Sequence, residues 1–394
     1  MKNVIITDGF WRKSLSCVRS LGKAGYNVTV LGDSVLTTAF WSGFTNNRVL
    51  SPSSKESLSD FNSFVTKYIE KKNFELGDKI ILIPSEDSTI NWLSAHRRKI
   101  SKHAQFLIPD QNSLKRAQSK ESTLRAAYKI GIDIPETYFF KNYNQFKKKI
   151  HFLSRKNLLN KYIIKPDVGS GSIGIIYPKE NNIKNLSFHW KKFGKLLIQK
   201  KINSKGNGIG VSMIFDKNSR CIANFSHKRI KEYPLKGGPS TIRKSIKNKN
   251  LQNLSKKLLQ KLNWKGVAMV EWKIDIDEKK IKLLEINPRF WGSLELAVRS
   301  GVNFPLLYAH LSSGRKVKVT KRYKPGVICR WIFPGDILRF INDKNNKENF
   351  WNFIKSIFKE GEEYDSKDIR GFISSIFCNL FSVFKPKYWK YLTR

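Results

Sequence analysis

Short apolar runs alternate with helical periodicity over the first hundred residues. Residues 3–7, around Val4-Ile5-Ile6, read as a short apolar strand, and Leu15, Val18, Leu21 and Ala24 recur at helical spacing over residues 14–25. Gly25 stops that helix and Asn27–Leu31 reads as the next strand. Such a βαβ opening predicts a parallel, doubly wound sheet. A strand at Lys79–Ile83, a helix at Glu86–Lys102 and a strand at Gln105–Ile108 continue it. The first turn, Thr7-Asp8-Gly9, lacks GxGxxG, so the dinucleotide fingerprint is absent. Ligands of such sheets sit at the carboxyl ends of strands, which marks Thr7-Asp8-Gly9 and Ser85-Glu86-Asp87 as candidate contacts. For Asp87 the plainer reading is an acid in the first turn of a helix capped by Ser85.

Near residue 112 the pattern changes. A helix over Ser113–Ile130 ends at Gly131, and Ile132-Asp133-Ile134-Pro135 leads into a strand at Thr137–Phe140. Short β-rich runs then alternate with glycine-containing turns at Tyr162–Lys165, Gly174–Tyr177, Leu196–Gln199 and Gly210–Phe215. A helix at Leu251–Leu262 precedes strands at Val267–Ile274 and Ile281–Ile286. This second part reads as an antiparallel sheet backed by helices, so the fold class is α/β followed by α+β.

Length and composition narrow the class. A chain of 394 residues that is 40% hydrophobic and 12% aromatic has enough material for a packed core and is not wholesale disordered. Cys17, Cys221, Cys329 and Cys378 form no CxxC pair and the histidines no HExxH, which argues against a disulfide framework or zinc site and for a reducing compartment, the cytoplasm. No signal peptide is visible before the first strand, so none is expected, and the uncharged stretch Gly371–Phe384 is too short to span a bilayer. The net charge of +43 comes from 74 Lys and Arg against 31 Asp and Glu. A charge of that size suits nucleic acid or anionic lipid. Here the basic residues are spread through every region without an RNP-like motif, zinc finger or helix-turn-helix, so weak non-specific polyanion affinity is the expected consequence and no specific nucleic acid is implied.

Candidate chemistry is concentrated in a few segments. In Leu284-Glu285-Ile286-Asn287-Pro288-Arg289, the period of two puts Glu285 and Asn287 on one face of a strand. Glu271 on the preceding strand of a hairpin would add a second carboxylate. Hard oxygen ligands of this kind suit Mg²⁺, which binds through few protein ligands plus nucleotide phosphates. Arg289 would then hold a phosphoryl oxygen. In Lys165-Pro166-Asp167-Val168-Gly169-Ser170-Gly171-Ser172-Ile173-Gly174, the glycines let backbone amides approach phosphate oxygens and Lys165 supplies charge. With a strand rather than a helix following, the loop reads as a lid between two strands, not a P-loop.

These motifs, in this order, resemble the ATP-grasp superfamily, which includes carboxylate–amine ligases and the ATP-binding domains of carbamoyl phosphate synthetase and biotin carboxylase. The resemblance runs from the amino-terminal sheet to about residue 315. It implies a pre-ATP-grasp domain over 1–112, an ATP-grasp domain over 113–315 with lobes at 113–200 and 201–315, and a carboxyl-terminal extension over 316–394. It assigns Lys120 and Lys165 to the α and β phosphates of ATP, Gly169, Ser170, Gly171, Ser172 and Gly174 to the closing lid, and the backbone of Gln199, Lys200, Lys201 and Ile202 to the adenine edge. Glu271, Glu285 and Asn287 become ligands for two Mg²⁺ ions (Mn²⁺ being the alternative), with Arg289 at the transferred phosphoryl group. Lys200 stands where the family commonly carries an acid.

Further segments bear on the acceptor. His227-Lys228-Arg229-Ile230 and Gly237-Gly238-Pro239-Ser240-Thr241-Ile242-Arg243 resemble a stretch of ATP-grasp ligases of unassigned substrate, and Arg243 could bind a carboxylate or acyl phosphate bidentately. His227 reads as a structural histidine. Phe290 and Trp291 read as core or as pocket lining. Near the end, Ile369, Phe372, Ile373, Ile376, Phe377, Leu380, Phe381 and Phe384 share a helical face, and basic residues with aromatics follow. That helix either packs on the body, the favoured reading, or contacts the inner face of a membrane through residues 369–394. The expectation is a MgATP-dependent carboxylate–amine ligase working through an acyl phosphate on small-molecule substrates. The alternatives are phosphoryl transfer or carbamoyl-phosphate chemistry on the same fold, and a non-catalytic nucleic-acid- or membrane-binding protein.

Overall fold

The computed structural model describes residues 2–169, 173–178, 185–204, 208–234, 238–319, 322–343 and 348–382. Five parallel strands, β1 (Asn3–Ile6), β2 (Asn27–Gly32), β3 (Asn47–Leu50), β4 (Ile80–Ile83) and β5 (Ala104–Gln105), form a sheet in the order β3-β2-β1-β4-β5. The apolar run of β1 is explained by burial on both faces. Val4 and Ile6 pack into the cluster that holds α1 (Arg12–Lys23), while Ile5 packs with Phe61, Val65 and Ile69 of α2 (Leu58–Leu76). Strand order reverses between β1 and β4, which opens a crevice at their carboxyl ends.

The strand β3 and the helix α2 fall where the sequence pattern assigned nothing. Two expected helices are each divided. The 86–102 helix becomes α3 (Asp87–Ala95) and α4 (Arg97–Ile100), because His96 leaves helical geometry between them. The 113–130 helix becomes α5 (Gln111–Gln118) and α6 (Lys120–Tyr128), because Ser119 turns extended and caps α6 by accepting from the Ser122 amide at 3.1 Å. This break puts Lys120 at the first position of a new helix, with its amide donating to the Asp167 carbonyl at 3.0 Å.

A small antiparallel sheet, β6 (Thr137–Tyr138), β7 (Tyr162–Pro166) and β8 (Leu196–Lys200) in the order β6-β8-β7, packs on α7 (Tyr143–Arg155) and α8 (Leu186–Phe193). The strand expected at Gly174–Tyr177 is corrected to a single bridge between Ile164 and Ile176. Gly174 adopts a left-handed φ of 75° that interrupts the extended run.

A larger antiparallel sheet contains β9 (Gly208–Phe215), β10 (Cys221–Glu232), β11 (Ser240–Ile246), β12 (Gly266–Asp275), β13 (Lys280–Asn287) and β14 (Ile328–Arg330), in the order β13-β12-β9-β10-β11-β14. One face carries Val211, Met213, Val270 and Trp272 against α5, α6 and α9 (Lys249–Lys261). The other carries Ile214, Phe225 and Met269 into the same cluster as α1, α10 (Leu294–Arg299) and α11 (Phe304–Ser312), so the parallel sheet and the large sheet share one core. Beyond β14 come α12 (Ile337–Asn342), α13 (Phe350–Glu360) and α14 (Ile369–Ser382). Among the described residues no helix is long and apolar enough to cross a membrane.

Candidate active site

The hairpin β12–β13 sets Glu271 directly across from Glu285, with Asn287 opposite Met269. Like charges facing one another across a ladder repel, and cations from other elements offset the repulsion. Arg229 of β10 donates through Nη2 to Glu271 Oε2 at 2.7 Å, Asn287 Nδ2 donates to Glu271 Oε1 at 2.9 Å, and Lys120 Nζ lies 3.3 Å from Glu285 Oε2. Burial pushes the Glu271 carboxyl up, and Glu285 adds to the rise against the pull of Arg229. Burial also works against the charge of Arg229, but Glu271 and Glu232 outweigh it and hold the guanidinium above its ordinary value.

The start of the glycine-rich loop meets this hairpin at Lys120, whose Nζ also donates to the Gly169 carbonyl at 2.8 Å. Asp167, just before Gly169, accepts from Ser119 Oγ at 2.9 Å and from the Glu121 amide at 2.7 Å, which fastens the end of β7 to the start of α6. Lys165 is buried beside them, and burial, then the neighbouring Lys120, bring its ammonium down to about 8. Gly169 has a φ of 145°, a conformation that a side chain would strain. Ser170, Gly171 and Ser172 lie outside the described residues.

The expected hinge is narrower than its four residues. Gln199 faces β6, donating through Nε2 to Thr137 Oγ1 at 2.9 Å. The Lys200 amide donates to the Glu136 carbonyl at 2.9 Å and the Lys201 amide to the Lys161 carbonyl at 2.8 Å, so neither N–H is free for an adenine edge. Lys201 Nζ reaches the Asn160 carbonyl at 2.5 Å, and Ile202 is half-buried. Lys200 pairs at 3.3 Å with Glu278 in the β12–β13 turn, and Asn203 Nδ2 donates to Asp277 at 2.8 Å, joining the two lobes at this point.

Arg289 lies at the other end of the hairpin. Its Nε donates to Asp87 Oδ2 at 2.9 Å, and Asp87 with Glu86 holds the guanidinium above its ordinary value despite burial. Asp87 is therefore more than a helix-start acid, and the cap of α3 is Glu86 rather than Ser85. Glu86 in turn pairs with Lys13 and, at 2.8 Å, with Lys55. Asp8 turns inward instead, accepting from Thr89 Oγ1 at 2.8 Å and from Ser54 Oγ at 3.3 Å.

A cavity of about 360 Å³ opens from Glu271, Glu285, Asn287 and Arg289. Phe10, Trp11 and Arg12 of the parallel domain line it, together with Trp331, Phe333 and Glu362 from beyond the large sheet. Arg12 stacks over Trp331 at 4.3 Å and pairs with Glu362 at 2.7 Å. Arg243 also lines the cavity, but its guanidinium is fully buried and paired with Glu362, and donates to the Ser240 carbonyl at 2.9 Å. Burial, then Arg12, bring Arg243 down to about 9. His227 is buried, with Nε2 3.2 Å from Ser293 Oγ, and burial holds its pKa down to about 3, so the ring is neutral. Trp291 lines the cavity and Phe290 packs against Tyr308 in the core.

Lys120, Lys165, Gly169, Glu271, Glu285 and Asn287 are thus brought together, with Arg289 at the far end. Arg243 reaches the cavity already neutralised, and Gln199 to Ile202 form the inter-lobe edge. Sequence reasoning missed Lys13, Arg12 and Glu362, and placed Arg229 in an acceptor segment without its pairing to Glu271. Arg229 carried a signal, since it alternates with His227 on one strand face, whereas Glu362 lies too far along the chain from Arg12 and Arg243 to be paired by spacing.

Gly210 shows how tightly the strands are set. It pairs with Glu271 across β9–β12, and a Cβ there would lie 2.2 Å from His227 Cε1. Gly210→Ala should therefore push against the His227 ring and destabilise the fold by about 1–3 kcal/mol, as measured by denaturant unfolding. An unchanged midpoint would contradict this packing.

The family model described as ATP-grasp in the biosynthetic pathway with Ter operon matches residues 209–333. Among solved structures, the biotin carboxylase domain of the Hydrogenobacter thermophilus 2-oxoglutarate carboxylase, in complex with MgADP, ADP and bicarbonate, is similar at a TM-score of 0.65 and 12% identity, covering 83% of this chain and 73% of that one. Biotin carboxylase from Campylobacter jejuni, as its β,γ-ATP complex, gives 0.65 at 14% identity, covering 83% and 74%. N5-carboxyaminoimidazole synthetase from Staphylococcus aureus, complexed with ADP, gives 0.64 at 14% identity, covering 88% and 87%. No curated protein matches the chain by sequence. The fold of this chain is that of the ATP-grasp superfamily, a parallel amino-terminal sheet followed by two antiparallel lobes.

Proposed function

We propose that this protein is a MgATP-dependent ligase that joins a small carboxylate to an amine through an acyl phosphate. The observation that carries the reading is the facing pair Glu271 and Glu285, with Lys120 and the lid base on one side and the cavity on the other. The donor set fits magnesium: two carboxylates facing each other across the hairpin and an amide oxygen beside them are hard oxygen donors. Bound there, Mg²⁺ neutralises the terminal phosphates of ATP.

The chain's own residues supply position and charge. Lys120 and Lys165 receive the phosphates under the lid, and Arg289, held by Asp87, stabilises the phosphoryl group as it passes to the substrate carboxylate. The amine then attacks the acyl carbon and displaces phosphate. Lid closure excludes water that would hydrolyse the intermediate.

A second reading, with bicarbonate as the acid, is supported by the bicarbonate named in the complex of the Hydrogenobacter carboxylase domain. The aromatic walls and volume of about 360 Å³ favour a larger acid. The test is a screen of amino acids, amino sugars, small carboxylates and bicarbonate for MgATP-dependent ADP release, with mass analysis of the product. Release with bicarbonate alone would select the second reading, and release with no acid would sink both.

The position of Lys165 near 8 gives the pH dependence a sign. Its charge is present at neutral pH and lost as pH rises through about 8, so kcat/KM for ATP should fall above that pH. Lys13, brought by burial to about 8 as well, titrates in the same range. Lys165→Arg keeps its charge and should flatten the fall, and an unaltered profile would assign it to Lys13.

A further inference from the structure

The sequence pattern gives α14 one strongly apolar face, and burial of that face against the body would be the ordinary outcome. The structure covers that face only in part, with Phe372 and Ile376 half-buried and Phe372 against Tyr364. Gly371, Ser374, Ser375 and Cys378 are the buried positions, and Ser374 Oγ donates to the Thr38 carbonyl at 2.9 Å. Ile369, Ile373, Phe377, Leu380 and Phe381 are 45%, 46%, 55%, 55% and 50% exposed. Four of these five follow one another every fourth residue, so they form a continuous stripe of about 18 Å along the helix. Phe358 of α13, 54% exposed, lies 6.2 Å from Phe372 and widens the patch.

We propose that this stripe docks on an anionic membrane surface. The sequence after Ser382 contains Lys385, Lys387, Lys390 and Arg394, no acid, and the aromatics Tyr388, Trp389 and Tyr391. Basic side chains for headgroups and amphipathic rings for the interface complete the requirements of a surface-bound helix. The net charge of +43 opposes the alternative occupant, a second copy of the chain, because the two copies repel, whereas an anionic lipid surface attracts. The helix is also fixed in orientation: Asp368, just before it, is bound by Arg19 and the Gly43 amide, and Ser375 and Asn379 on its inner side line the cavity. Docking would therefore hold the cavity close to the lipid surface.

The experiment is flotation of the full-length protein with vesicles of phosphatidylcholine alone and of phosphatidylcholine mixed with phosphatidylglycerol. Binding to the mixed vesicles alone is expected. Phe377→Glu and, separately, Ile373→Glu should each weaken it about tenfold or more, the burial of one large apolar side chain, with thermal unfolding unchanged. Unaltered binding by both variants would reduce the interaction to bulk charge and overturn the stripe. Absence of binding, or a dimer in solution that either variant dissociates, would overturn the lipid surface as the occupant.

Discussion

Replacing Glu285 with alanine is expected to abolish substrate-dependent ADP release, a loss of about a thousandfold or more, as for removal of a principal charge-stabilising group from a phosphoryl-transfer site. Glu285 is partly exposed, at 22% of its side chain, and its ionic partner is Lys120, which keeps the Gly169 carbonyl at 2.8 Å when the carboxylate is gone. Folding should therefore survive, and ADP release together with thermal unfolding separates a catalytic loss from a structural one. Glu271 would be a poorer probe. Its removal takes from the half-buried Arg229 the partner at 2.7 Å and leaves it only Glu232 at 3.4 Å, so lost activity would mix with lost structure. Turnover of Glu285→Ala at the rate of the unaltered enzyme would remove the magnesium assignment and with it the ligase reading.

How far the sequence could be read depended on the range of the signal. The strand β1 and helix α1 were legible because a buried parallel strand is an uninterrupted apolar run and a covering helix repeats every 3.6 residues. The hairpin that pairs Glu271 with Glu285 was legible because strands alternate with period two and a short turn joins them. The Arg243 guanidinium, by contrast, looked available to a substrate because its partner Glu362 arrives from the far end of the chain. Asp87 looked like an ordinary acid at a helix start because Arg289 reaches it from the end of β13, far along the chain. The division at Ser119 depends on the bonds Asp167 makes to Ser119 and Glu121, which no local propensity contains. Local periodicity thus exposed the elements and the acid pair, while the ion pairs that orient the site needed the assembled fold.

The same dependence on distant partners governs the carboxyl-terminal helices, and Asp368→Asn is expected to cost about 2–4 kcal/mol of stability. The Asp368 carboxylate is wholly buried, and both oxygens are filled by donors: Oδ2 accepts from Arg19 Nε at 2.7 Å and Ser42 Oγ at 2.8 Å, Oδ1 from the Gly43 amide at 2.8 Å and the Gly371 amide at 3.1 Å. An asparagine of the same shape must aim its own N–H groups at one of these donor pairs and leaves Arg19 buried without its countercharge. Arg19 keeps the carbonyls of Glu362 and Glu363, at 3.1 and 2.7 Å, which limits the loss. No compensating shift is open at Gly371, where even a Cβ would lie 2.1 Å from Asp368 Oδ2. Denaturant unfolding should show the fall, and amide exchange should speed up first in α14 and in residues 38–43, the two segments that this carboxylate ties together. Uniform exchange, or a midpoint equal to that of the unaltered chain, would mean that α14 is held by its Ser374 bond to the Thr38 carbonyl and by its packing on residues 38–41 instead.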